Sequence, residues 1–409
     1  MNWPGDTNPV VNRIKRISTA KQFDVLLFAA VLTLTAVGYY FLYIVRPTFN
    51  GTDGLTDASM RRQLLAIIIG IVGALFLSSI DYQYYQVPSY IGYIGSAFLL
   101  LVTALIGAGG QSTGTRGWIQ MLGVSGANFQ PSEIAKITFV VVSASFLERI
   151  VQRRAAKADY VKLAFYAALP VGLVLLQKDT GTATVFLFMF FTMLFVSGLK
   201  YRYIFSMIGA ALVSLPLLWV FVLKDYQKMR IVSFLNPELD ITNTGYQANL
   251  ARSAIGAGEL FGRQLEDAGA SRFSVVPTRH TDFIFTVVAE KVGFVGCVLF
   301  ILLFVLILLR CYYVAASARD RYGSFMVTGL ASMLAFHFIE NISMCIGLMP
   351  ITGIPLPFVS YGGTSMITNY IAIGIILSVS ITREKTEPRR GDPDGVLTVT
   401  KVRRLAPRN

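Results

Sequence analysis

Apolar residues fall in blocks of about twenty, long enough to cross a bilayer's hydrocarbon layer as helices, and polar residues gather in the gaps between them. The blocks predict spans near 24–45, 63–80, 90–108, 132–150, 160–176, 181–198, 203–223, 283–310, 323–349 and 362–382. The two on either side of Lys178 are separated by almost no loop. This pattern predicts an all-α polytopic membrane protein of about ten transmembrane helices. The first block, Val25 to Val45, is too long for a signal-peptide core and lacks a small-residue cleavage pattern, so it is expected to stay as the first span.

Charge orients the spans. Arg13, Lys15, Arg16 and Lys21, then Arg149, Arg153, Arg154 and Lys157, then Lys200 and Arg202, then Arg319 and Arg321, and finally the basic tail all fall on one side. Lys and Arg mark the cytoplasmic side, which puts both ends of the chain there. The segments 46–62, 109–131, 177–180, 224–282 and 350–361 then face outward. The 224–282 loop, before helix eight, is too long for a simple connection. Within it, TNTGYQANLARSAIGAGELFG suggests a short amphipathic helix ending at glycines. On this reading residues 1–22 form a cytoplasmic tail, 23–383 the transmembrane domain, and 384–409 a disordered cytoplasmic tail.

The chain of 409 residues is 54% hydrophobic and 14% charged, with a mean hydropathy of +0.59. That balance is too apolar for a soluble domain. The net charge of +13 sits in the clusters between spans and in the tails, so it reads as topology and not as a nucleic-acid stripe. Cys297, Cys311 and Cys345 lie in or beside apolar blocks without CxxC spacing or nearby histidines, and read as small core residues. No GxxxxGK[ST] loop and no strand-borne GxGxxG occurs, so nothing here points to ATP or a dinucleotide. Any chemistry must run on a substrate that arrives activated.

Ionisable side chains at membrane depth are costly and tend to line a cavity or path. In QPSEIAK, Glu133 and Lys136 are three residues apart on one helix face, just after Pro131. They read either as a self-satisfied ion pair or as cavity groups. RHTDF places Arg279, His280 and Asp282 at the outer boundary, where Asp282 reads either as a helix-capping acid or as a chemical group, and His280 as a hydrogen-bonding side chain. Arg116 in TGTRGW, Lys178 and Asp179 in LLQKDTGTA, and Arg230 in KMRIVSFLNP are further outward polar residues. An arginine fork suits diphosphate, and a headgroup contact or surface ion pair is the alternative for each. His337, Glu340 and Asn341 read as a helix-helix hydrogen-bond network. MPITGIPLPFVSYGGTS has too many Pro and Gly for a membrane helix and must be buried in protein or line a cavity.

Taken in order, GTRGW, FQPSEIAK, KDTGT, RHTDFIF with AEKVGFVG, and MPITGIPLPFVSYGGTS resemble the SEDS family of shape, elongation, division and sporulation proteins. The likeness runs from the first span to the tenth. The Arg before HTDF and the ITGIPLPFVSYGGTS wording look closer to the RodA branch than to FtsW or SpoVE. The resemblance implies a peptidoglycan glycosyltransferase in the bacterial cytoplasmic membrane, polymerising lipid II at the outer face for elongation and shape. It implies a class B penicillin-binding protein and other cell-shape proteins as partners. It makes Asp282 the catalytic residue and Arg116, Glu133, Lys136, Asp179, Arg230 and Arg279 substrate-binding groups. KDTGT departs from the family's common PDLGT, keeping the acid and leaving the role of Lys178 open. No cofactor is implied; a divalent cation bridging Asp282 or Glu133 to diphosphate fits the chemistry, but no metal-ligand set demands one. The rival readings are a lipid II flippase, which also needs buried charges and broken helices, and a non-catalytic scaffold.

Topology is the sharpest constraint, because an odd number of spans must precede Asp282. A single cysteine placed at position 282 should react with a membrane-impermeant thiol reagent added outside. Labelling only from the cytoplasmic face would remove both the span count and the catalytic assignment.

Overall fold

The computed structural model describes residues 23–45, 55–107, 115–120, 128–152, 157–198, 225–236, 244–263 and 276–382, with a few isolated positions between 209 and 220. In order come α1 (Val25–Val45), α2 (Asp57–Ser78), α3 (Gln86–Ile106), β1 (Ile119–Gln120), β2 (Asn128–Phe129), α4 (Pro131–Val151), α5 (Lys157–Leu176) and α6 (Thr180–Val196). They are followed by α7 (Asp225–Leu235), α8 (Thr244–Ala257), α9 (Ile284–Ala316), α10 (Arg321–Ile346) and α11 (Gly363–Thr382). Among the described residues, helices stand at nine of the ten expected spans; all but isolated positions of the one near 203–223, both tails and parts of the 224–282 loop lie outside them. Among the described residues seven helices are long and apolar enough to cross a membrane, and α6 is a shorter apolar one. The amphipathic helix expected before the glycines is α8.

The helix starts follow from local chemistry. Pro131 opens α4 with Glu133 in its first turn, where a missing N–H costs nothing and an acid meets the positive end of the dipole. Asp320 caps α10 by accepting from Gly323 N at 2.8 Å, and the helix closes at left-handed Gly347.

Three helices form the centre. α10 and α11 bury 67% and 72% of their apolar windows, against 28% for α3 and 22% for α5. α4 is buried along nearly its whole length despite its charges. The outer helices turn side chains such as Ile94, Phe98 and Leu299 away from the protein, as lipid requires. α11 packs most extensively on α2. There a Cβ on Gly374 would stand 2.7 Å from Ala74 Cα, so only a bare Cα lets the backbones approach this closely. The three cysteines are buried and unbridged.

One helix is broken on purpose. In α9, Gly293 adopts φ 66 and ψ −167, which interrupts the helical ladder within AEKVGFVG. The turn after α8 fills the interruption. Phe294 N donates to Glu259 O at 2.8 Å, Val295 N to Leu260 O at 3.0 Å, and Arg263 N to Glu290 O at 2.9 Å. Gly258 and Gly262 allow that contact, since a Cβ on either would sit 2.0 Å from Ala289 O or 2.1 Å from Lys291 O. The turn after α8 is thereby anchored to the first part of α9.

Gly262→Ala should therefore destabilise the detergent-solubilised protein by at least about 2 kcal/mol, combining a left-handed backbone with a clash. Gly256→Ala on α8, where an added Cβ meets nothing within 4 Å, should be neutral or stabilising by up to about 1 kcal/mol. Denaturant unfolding of both variants checks the contrast.

Candidate functional site

The N-terminal end of α4, the α5–α6 turn, the C-terminal half of α10, the turn before α9 and the segment after α10 converge. Glu133 and Lys136 lie one turn apart on α4, both buried, with Lys136 Nζ 2.7 Å from Glu133 Oε1. The same ammonium lies 2.9 Å from His337 Nε2 on α10. An ammonium has only protons to give, so His337 is the acceptor there and holds its own proton on Nδ1. Lys136 is thus shared between a carboxylate and an imidazole inside the protein.

Next to this group the chain turns sharply. α5 ends with Lys178 in the left-handed region, φ 64, which lets Asp179 N reach back to Val174 O at 3.2 Å. Asp179 then caps α6. Its Oδ1 accepts from Thr182 N at 2.9 Å and its Oδ2 from Thr182 Oγ1 at 2.7 Å. Arg116 N donates to Gln177 O at 2.9 Å, which sets the exposed Arg116 beside this turn. Asp179 lies in the field of Lys136 and Glu133.

Asp282 sits on a turn held from several directions. Thr278, at φ 50, collects Thr281 N at 3.0 Å and Asp282 N at 3.1 Å on its carbonyl. His280 O accepts from Tyr361 N at 2.8 Å, and Thr281 O accepts from Ser360 Oγ. Asp282 O accepts from Asn341 Nδ2 at 2.7 Å. Three consecutive carbonyls are thus bound by the 360–361 segment and α10. The capping alternative for Asp282 fails: the N-cap of α9 is Phe283 and makes no side-chain cap bond. Asp282 is half-buried outside the spans, and burial pushes its carboxyl up to about 6, against the pull of its Thr281 bond and Arg230 and with a further push from Asp179.

The segment 350–361 runs without helix and is buried from Leu356 to Ser360, as its Pro and Gly content predicts. Gln63, buried on α2, holds it with both ends of its amide, donating to Ser360 O at 3.3 Å and accepting from Gly362 N at 3.1 Å. Gly353, at φ +79, lies opposite the acid, where a Cβ would be in van der Waals contact with Asp282 Oδ2 at 3.4 Å. Thr352 packs against Gly181 and neighbours Glu340.

All the sequence-identified residues except Arg116 are wholly or partly withdrawn from solvent. Arg279 is buried at 5% exposure. Arg230, on α7, lines a small cleft with Arg252, Gly347 and Ile351 and acts on Asp282 through its charge. His337 and Asn341 do more than the helix-helix network expected of them: they hold Lys136 and the Asp282 turn. Their spacing in HFIEN puts both on the inner face of α10, which was the available signal. Their partners, far away in the chain, were not in the sequence pattern. Among the described residues no group of three or more His, Cys, Asp or Glu is arranged to hold a metal ion.

Comparison with known proteins agrees with this arrangement. Residues 24–385 match the family described as cell cycle protein, which takes in FtsW, RodA and SpoVE. The chain is 33% identical to the probable peptidoglycan glycosyltransferase FtsW of Trichlorobacter lovleyi, over 88% of this chain and 93% of that one. It is 34% identical to the peptidoglycan glycosyltransferase MrdB of Escherichia coli, over 81% and 88%. Among solved structures it resembles a chain of a peptidoglycan synthase complex that coordinates polymerization and crosslinking, at 30% identity and TM-score 0.72, covering 88% of this chain and 97% of that one. It also resembles the rod shape determining protein RodA of Thermus thermophilus, at 29% identity and TM-score 0.64, covering 89% and 98%. A match across almost every described helix, with the polar motifs gathered at one end of the bundle, makes this chain a multi-pass membrane protein of the FtsW/RodA/SpoVE family.

Proposed function

We propose that the chain is a peptidoglycan glycosyltransferase that joins lipid II units at the outer face of the cytoplasmic membrane, with Asp282 as general base. The observation that carries this reading is Asp282 itself: a half-buried acid with a raised pKa, on a turn fixed through its backbone, beside Arg230. The names of the relatives support the reaction class. The RHTDF and ITGIPLPFVSYGGTS wording supports elongation as its setting. The likeness to a chain of a peptidoglycan synthase complex supports a class B penicillin-binding protein as partner.

The reaction balances with these groups. The acceptor's 4-hydroxyl attacks the donor's anomeric carbon, the C–O bond to undecaprenyl diphosphate breaks, and the hydroxyl proton passes to Asp282. Direct attack with one base inverts the anomeric centre. Negative charge grows on the leaving diphosphate, where the cations of Arg116, Lys136, Arg230 and Arg279 would offset it. Arginine forks suit the paired phosphoryl oxygens. A flippase would use the same buried charges without a base, so the acid separates the two readings.

The protein purified with its penicillin-binding partner and given lipid II in proteoliposomes should make glycan chains, and Asp282→Asn should lower the rate by about 10²–10⁴. A base works deprotonated, so the wild-type rate should rise with pH through about 6 and level off above it, with pH 5 about tenfold below the plateau. Normal polymerisation by Asp282→Asn would remove the base, and labelled lipid crossing the bilayer without glycan would favour the flippase.

Lys136→Met should destabilise the fold by about 3–5 kcal/mol, because it leaves Glu133 charged and unpaired inside the protein. Adding Glu133→Gln should restore most of the stability, read by unfolding in detergent, while polymerisation stays impaired.

A further inference from the structure

We infer that Asn341 is the positioning residue of the active acid: its side-chain amide sets the direction of the Asp282 carboxylate by tying the acid's own carbonyl to the extended segment that faces it. The inference rests on the base reading of Asp282 and deepens it. Asn341 is fully buried on α10. Its Nδ2 donates twice, to Asp282 O at 2.7 Å and to Ile354 O at 2.7 Å. Its Oδ1 is buried without a hydrogen-bond partner among the described residues. Rotating the amide would set its oxygen 2.7 Å from two carbonyl oxygens, so the contacts fix its orientation. The side chain gives up its acceptor in order to use both donors on these two carbonyls.

Asp282 O is free to take this bond because of how α9 begins. A regular first turn would direct Thr286 N to Asp282 O, but Thr286 N bonds Phe283 O at 3.0 Å instead, and Thr286 Oγ1 donates to the same oxygen at 2.6 Å. The acid's carbonyl therefore points out of the helix, toward α10. Its N–H is held by Thr278 O at 3.1 Å, so both peptide groups flanking its Cα are fixed. The second bond of Asn341, to Ile354 O, sets the acid-bearing turn against the 351–354 stretch, where Gly353 lies opposite Oδ2. One amide thus determines the gap between the acid and the wall opposite. Displacement of about 1 Å at such a point costs about a hundredfold in rate.

The test compares wild type, Asn341→Ala, Asn341→Asp, Asn341→Ser, Asp282→Asn and the Asn341→Ala/Asp282→Asn double variant, each copurified with the penicillin-binding partner and assayed for lipid II polymerisation. Asn341→Asp keeps the shape and loses both donors; Asn341→Ser keeps one donor. Expected are kcat losses of tenfold or more for the Ala and Asp variants, a smaller loss for Ser, KM for lipid II within about twofold of wild type, and a double variant no slower than Asp282→Asn alone. Wild-type kcat in folded Asn341→Asp would overturn the inference while leaving Asp282 as base. Additive losses in the double variant would overturn it too, since Asn341 would then act independently of the acid. Failure of all three Asn341 variants to yield folded protein would make the residue structural and overturn the positioning role. Normal turnover by Asp282→Asn would instead defeat the base reading on which the inference stands.

Discussion

A peptide group left unpaired in hydrocarbon costs several kcal/mol, so a membrane helix can be interrupted only where another part of the chain supplies partners. This protein interrupts its helices at the α5–α6 turn, at the turn before α9, at Gly293 and along 350–361. Each interruption is satisfied locally. The α8 turn serves Gly293, Asp179 serves the start of α6, and Gln63, Ser360 and Asn341 serve the Asp282 turn and the segment opposite. The chemistry follows from the same constraint. Asp179, Asp282 and Gly353 all lie at these breaks, because only there does the backbone leave the helix and open a polar space.

The electrostatics divide into two layers. Deep in the site, Glu133, Lys136 and His337 form a group whose charges cancel internally, which is what burial between helices requires. Nearer the protein surface, Asp282 and Arg230 act on one another across a partly buried gap, and Arg116 is exposed. An anionic substrate would meet the arginines first and the paired lysine afterwards. The inner lysine is thus held in place before any ligand arrives, and its carboxylate partner tempers its attraction for stray anions.

Most of the fold was legible because its signals are local. Blocks of about twenty apolar residues marked nine of the described helices, Pro131 and Glu133 marked the start of α4, and the glycines after Ala257 marked the end of α8. The site was half legible. Glu133 and Lys136 could be paired from their spacing, and Asp282 could be singled out through its family likeness. That His337 would meet Lys136, 201 positions away, or that Asn341 would hold Asp282, 59 positions away, depends on how helices cross. No periodicity in one helix encodes the identity of its neighbour. Helix ends were less well placed, and α9 runs on to Ala316, six residues beyond the expected span, because Cys311, Val314 and Ala315 continue its buried face.

The manner in which Asp282 is held has an evolutionary consequence. Its N–H and its carbonyl belong to the peptide backbone, so the bonds that anchor the turn to Thr278 and Asn341 are available to any residue at that position except proline. Architecture and reactivity are therefore inherited separately. With Asp282 as the base proposed above, a single nucleotide change that removes the acid would leave these backbone bonds in place, so a lineage of this fold would lose its reaction in one step and keep its fold.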